Sequence, residues 1–120
     1  MGQAIVGGKS YSFALRIIKL YKYLYHEKKE YVLSKQILRS GTAIGALCRE
    51  AEHAQSRADF LNKMNISLKE ANETEYWLML LKDSDYITNS SFESIHQDCR
   101  ELIKLLASIV KTTKNSITKS

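Results

Sequence analysis

The chain has 120 residues, a formal net charge of +5, no proline, five glycines and two cysteines. That length makes one domain, residues 1–120, able to bury a core without staples, and Cys48 and Cys99 are too few for a disulfide framework or a zinc ribbon. No apolar run approaches the roughly 18 residues of a membrane span, and Met1-Gly2-Gln3-Ala4-Ile5-Val6 lacks the basic start of a secretion signal, so a cytoplasmic location with no membrane partner is expected.

Few breakers and much Leu, Ile, Lys, Glu and Ala make an all-α chain. The periodicity predicts a first helix over about residues 11–29. At about 100° per residue, Phe13, Ala14, Ile17, Ile18, Leu20, Tyr21, Leu24 and Tyr25 share one arc, and Arg16, Lys19, Lys22, Tyr23, His26 and Lys29 share the other. Ser10 is placed as its N-cap.

A second helix is predicted over about 32–54. Leu33, Ile37, Ile44, Leu47, Cys48 and Ala51 form its stripe, and Lys35, Arg39, Arg49 and His53 stand opposite. Gly41 and Gly45 lie four apart among small residues. Each glycine costs a helix about 1 kcal/mol, so the pair implies close approach by another helix or, alternatively, a local kink.

The third helix is predicted over about 57–82, with Ser56 and Asp59 as a capping box. Phe60, Leu61, Met64, Leu68, Ala71, Leu78 and Met79 are assigned to the core. Ile66, Trp77, Leu80 and Leu81 form a second apolar strip on a different side. A helix apolar on all sides must be covered on all sides, so this strip is expected to meet another subunit. Glu70 and Glu73 flank it, placed to receive a neighbour's basic helix in a heterologous ring.

The fourth helix is predicted over about 91–111, with Ser90 and Glu93 as its capping box and a basic tail, 112–120, that frays. Phe92, Ile95, Cys99, Leu102, Ile103, Leu106, Ile109 and Val110 repeat at three and four, while Arg100, Lys104 and Lys111 form a narrow basic line. Short loops between helices of this length favour an up-down-up-down antiparallel four-helix bundle.

Two Glu-x-x-His pairs, Glu50/His53 and Glu93/His96, raise the question of a di-metal bundle site. In an alternating bundle they fall at opposite ends, about 25 Å apart at 1.5 Å per residue. Paired metals sit about 3.5–4 Å apart, so no metal or other cofactor is expected. The same separation argues against a Cys48–Cys99 disulfide. Glu75 lies inside the apolar arc of the third helix; it is read as a paired structural carboxylate, with acid–base chemistry as the rival. No catalytic residue is assigned and no enzyme is expected.

Charge is segregated. Residues 1–49 hold nine Lys and Arg against two acids, residues 50–101 hold five against eleven, and residues 102–120 hold four lysines and no acid. Rows of cations on outer helix faces suit a polyanion, which they neutralise with release of counterions. The candidate nucleic-acid contacts are Arg16, Lys19, Lys22, Lys35, Arg39, Arg49, Arg100, Lys104 and Lys111, with Tyr23 able to stack on an unpaired base.

The stretch DFLNKMNISLKEANETEYWLMLLKDSDYI, Asp59 to Ile87, resembles the signature of four-helix bundle proteins encoded in intervening sequences of 23S ribosomal RNA genes. LRSGTAIGA, Leu38 to Ala46, resembles a second marker of that family, and FALRIIKLYKYL, Phe13 to Leu24, its first helix. Where the family reads A-N-I-A-E-G, this chain keeps Glu50 and carries Leu47 and Ala51 in place of the Asn and Gly. A related branch, the accessory variability determinant of diversity-generating retroelements, forms basic five-membered barrels that bind nucleic acid and a reverse transcriptase. The resemblance implies a non-enzymatic, pentameric homo-oligomer that binds RNA or DNA, accessory to ribosomal RNA or a reverse transcriptase. The alternative is an interaction protein whose charge asymmetry serves self-assembly or a protein partner.

Overall fold

The computed structural model describes residues 2–119, leaving Met1 and Ser120, the last residue of the expected tail, outside the described residues. Four helices and no strand occur among them: α1 (Gly2–His26), α2 (Leu33–Glu52), α3 (Arg57–Asp83) and α4 (Asn89–Lys119). Helices of 20 to 31 residues are about 30–46 Å long. In a body of 52 × 21 × 20 Å they must all lie along the long axis. The short turns at 27–32, 53–56 and 84–88 reverse direction each time, giving an up-down-up-down four-helix bundle. Each helix packs on its two neighbours around the bundle, and the diagonal pairs stay apart.

Two ends differ from the sequence expectation. α1 begins at Gly2, so Ser10 is no cap; it is buried in mid-helix. Three glycines should cost this opening stretch about 3 kcal/mol. Packing overrides that cost. Val6 enters the core, Gly2 lies against Ile109, and Ser10 lies against Gly45. At the other end, the expected frayed tail is helical through Lys119.

The caps show which local signals are followed. Ser56 Oγ accepts from the Asp59 backbone N–H at 3.0 Å, as the Ser-x-x-Asp pattern predicts. α4 starts instead on Thr88, whose Oγ1 accepts from the Ser91 N–H at 3.1 Å; Ser90 lies inside the helix. Ile87 and Phe92, both buried, occupy the staple positions around that cap. α2 has no capping side chain at Val32, and Glu30 does the work: its carboxylate accepts from the Ser34 N–H at 2.7 Å and the Val32 N–H at 3.3 Å. α3 ends in a Schellman motif, with Asp85 at φ 66°, its N–H donating to Lys82 O and the Tyr86 N–H to Leu81 O.

The four seams between helices are built differently. Between α1 and α2, a Cβ on Gly41 would stand 2.7 Å from Ile17 Cγ1, and one on Gly45 would stand 3.3 Å from Ser10 Oγ. The glycines therefore serve close approach, and α2 runs unbroken past both. Between α2 and α3, small hydroxyls form buried rungs: Ser67 Oγ donates to Ile44 O at 2.9 Å and Thr74 Oγ1 to Ser40 Oγ at 2.9 Å. Between α3 and α4, Glu75 meets His96 at 2.8 Å, with Phe92 stacked on the imidazole. The seam between α1 and α4 is the most open, and ion pairs cross it: Arg16 to Asp98 at 2.8 Å and Lys9 to Glu101 at 3.2 Å.

Leu81 was expected on a subunit contact, and this is corrected: it is 0% exposed within the single chain and belongs to the core. Met79, assigned to the core, is exposed. Leu81 stands three residues after Leu78 and seven after Thr74, both buried, so it continues the buried stripe of α3, whereas Met79 stands one residue off that stripe.

Candidate nucleic-acid interface

The proposed cations fall into two groups once their neighbours are known. Arg16 is held in the α1–α4 seam; besides Asp98 it donates to Ser94 O at 3.1 Å and Ser94 Oγ at 2.9 Å. Arg39 leans from α2 onto α3, pairing with Glu70 at 3.2 Å and closely with Glu73. These two arginines tie helices together.

That pairing changes the reading of Glu70 and Glu73. Within the chain, the basic helix they meet is α2, through Arg39. Glu73 also accepts from Trp77 Nε1 at 3.0 Å, which holds the half-buried indole against the bundle. Ile66 and Leu80 are half-buried, and the apolar side chains that α3 exposes are Tyr76 and Met79.

Lys19, Lys22, Lys35, Arg49, Arg100, Lys104 and Lys111 are exposed and have no ion-pair partner among the described residues. Their surroundings differ. Arg100 and Lys104 share a shallow surface with Glu93, Asp98 and Glu101, so acids interrupt the basic line on α4. Arg49 borders an α1–α2 groove of 660 Å³ beside Tyr11 and Glu52. Lys19 and Lys22 belong to the last two turns of α1, where Tyr23 is exposed and the turn adds Lys28 and Lys29. Lys28 Nζ lies 5.9 Å from the Tyr23 ring centre. Lys35 stands on the first turn of α2, at the same end of the bundle.

Sequence reading missed an aromatic cluster at that end. Tyr25 has Tyr21 at 5.6 Å, His26 at 5.2 Å and Tyr31 at 4.8 Å, ring centre to ring centre. The spacing of Tyr21 and Tyr25, four apart on a helix, was the available signal; the arrival of Tyr31 depends on the turn.

The rest of the titratable inventory is structural. The two Glu-x-x-His motifs stay apart: Glu50 pairs with Lys63 at 3.5 Å, while His96 is taken by Glu75. Among the described residues no three His, Cys, Asp or Glu side chains converge as metal ligands would. Cys48 and Cys99 are free and buried. Burial pushes the Cys99 thiol up to about 12, and the nearby charges of Glu75 and Asp98 push the same way. Burial also raises Cys48, against hydrogen bonds from Ser67 and Ser10 that lower it. A thiol that keeps its proton at neutral pH is a poor nucleophile and a poor metal ligand.

The fold and the surface define a helical-bundle protein with a group of unpaired lysines, Lys19, Lys22 and Lys35, at the end where α1 turns into α2. The chain belongs to the family of 23S rRNA-intervening sequence proteins, whose model matches residues 3–108. The last turns of α4 lie beyond the matched stretch. The chain is similar to a crystal structure of a protein with unknown function from the S23 ribosomal protein family of Bacteroides thetaiotaomicron VPI-5482. The two share 63% identity at a TM-score of 0.91, over 92% of this chain and 99% of that one. Neither description names an enzymatic activity. No curated protein matches. No helix among the described residues is long and apolar enough to cross a membrane.

Proposed function

We propose that this chain is a non-enzymatic, oligomeric bundle that binds RNA or DNA through its basic outer faces, in the cytoplasm, as an accessory to ribosomal RNA or to a reverse transcriptase. The observation that carries the reading is the set of unpaired lysines, Lys19, Lys22 and Lys35, at the end where α1 turns into α2. Cations without acidic partners hold mobile counterions, and a polyanion releases those ions on binding. The family's place within ribosomal RNA genes supports RNA as the first ligand to try.

Fluorescence anisotropy of labelled RNA and DNA across a salt titration tests it. Affinity is expected to fall as a power of salt concentration, and Lys22→Glu is expected to weaken binding and flatten the slope. Absence of binding to either nucleic acid at low salt rejects the reading.

A second reading, assembly alone, is favoured by a different observation. α1 exposes Ile5, Tyr11 and Leu15 beside the α1–α2 groove, and α3 exposes Tyr76 and Met79 next to Ile66, Trp77 and Leu80. Two apolar surfaces on one chain suit a heterologous ring, five-membered by resemblance to the retroelement branch. Light scattering that reports a monomer removes the ring from both readings.

A further inference from the structure

Between the second half of α1 and the first turns of α4 lies a cleft of 520 Å³, within the roughly 300–1,000 Å³ of small-ligand sites. Its floor is apolar, made by Leu20, Ile87 and Ile95. Tyr23 forms one wall and Lys19 stands at the rim. Ser90, Ser91 and Ser94 supply hydroxyls on the α4 side, and no acid lines the opening. Arg16, the other cation there, is neutralised by Asp98, which leaves Lys19 as the unpaired charge.

From this arrangement we infer that the cleft takes one unpaired nucleotide of a single-stranded nucleic acid. This deepens the nucleic-acid reading above and rests on it. The base lies over the apolar floor against the Tyr23 ring. Base–aromatic stacking tolerates any base, because every base has a π-face. Lys28 now sits loosely over that ring at 5.9 Å and has no ion-pair partner among the described residues. A stacked base displaces its ammonium toward the phosphate. The strand continues past Lys19 to Lys22 and the turn lysines Lys28 and Lys29, which space cations along its backbone. A duplex cannot use the cleft, because its bases are stacked on one another and out of reach of a ring set between two helices.

The test uses the full chain and one sequence in three forms: a short single strand carrying 2-aminopurine, the same strand closed as a duplex, and the free mononucleotide. The single strand is expected to bind more tightly than either, with quenched 2-aminopurine fluorescence. Tyr23→Ala is expected to weaken single-strand binding about tenfold and abolish quenching, while Tyr23→Phe retains both. Tyr23 is 42% exposed, so a circular dichroism melt is expected to show the fold unchanged. If strand and duplex bind equally and Tyr23→Ala is silent while Lys22→Glu weakens both, the cleft is refuted and nucleic-acid binding by charge survives. Mononucleotide binding as tight as the strand's refutes the strand as ligand. No binding of any form at low salt refutes the cleft and the function together.

Discussion

α1 meets its two neighbours on opposite terms. Along one edge, Gly41 and Gly45 of α2 let the helices close until Ile17 and Ser10 fill the space where side chains would stand. Along the other edge, Lys9 and Arg16 reach across to Glu101 and Asp98 of α4, with the long side chains of both pairs about half exposed. The first edge is held by short-range contact at the two glycines and opens outward into the groove beside Tyr11 and Arg49. The second is held by charges in contact with water, and it leaves the cleft beside Tyr23 open. Close packing has little slack, so the glycine contact gives stability; a charged, solvated seam gives modest stability and room for a ligand.

The largest break in that contrast should come from the glycine edge. Gly41→Val would drive a branched side chain into Ile17, whose own Cβ branch prevents it from swinging clear. Overpacking of this kind is expected to cost about 3 kcal/mol, read as a lower urea midpoint with an unchanged m value. A melt equal to that of the parent chain would show that the seam is looser than Ile17 indicates.

Alkali asks whether α4, open on its outer edge, is as dry on its inner one. The folded Cys99 thiol holds its proton to about 12, whereas an unfolded thiol loses it near 9.0. Between those values the folded state binds more protons than the unfolded one, so stability falls as pH rises. The Cys99 share is about 1.4 kcal/mol per pH unit above 9. Urea unfolding at about pH 8 and about pH 10 should show it, and Cys99→Ala should remove that part of the slope. An unchanged slope in the variant would mean that water reaches this thiol.

The smallest effect belongs to the charged edge. Arg16→Ala removes a half-exposed ion pair and two hydrogen bonds to Ser94, and is expected to cost about 1 kcal/mol or less. High salt should shrink the loss further. A cost as large as that of Gly41→Val would erase the distinction between the two edges.

How far these edges could be read in advance depended on the range of the interaction. Gly41 and Gly45 signalled a close approach because a helix tolerates such residues only at a cost. The basic row on α1 was equally plain, since period alone puts Lys19, Lys22 and Tyr23 outside. Which cations stay free was hidden. Arg39 and Arg16 find their acids 31 to 82 residues away, and no local pattern encodes that meeting. Glu75 and His96 were each singled out, yet their partnership across α3 and α4 needed the register of the two helices. Tyr23 was legible as an exposed ring, but the cleft beside it was not, because half of its lining comes from α4.

Taken alone, the chain's 120 residues determined an all-helical bundle, its three reversals and the Ser56 cap, since each follows from period, propensity and local hydrogen bonding. The tertiary structure decided where helices outrun their local signals. It drew Gly2–Ser10 into α1 by burying Val6, carried α4 to Lys119 and matched Arg16 and Arg39 to their acids. Those outcomes depend on the energy of contacts between distant segments, which exists only once the helices stand side by side.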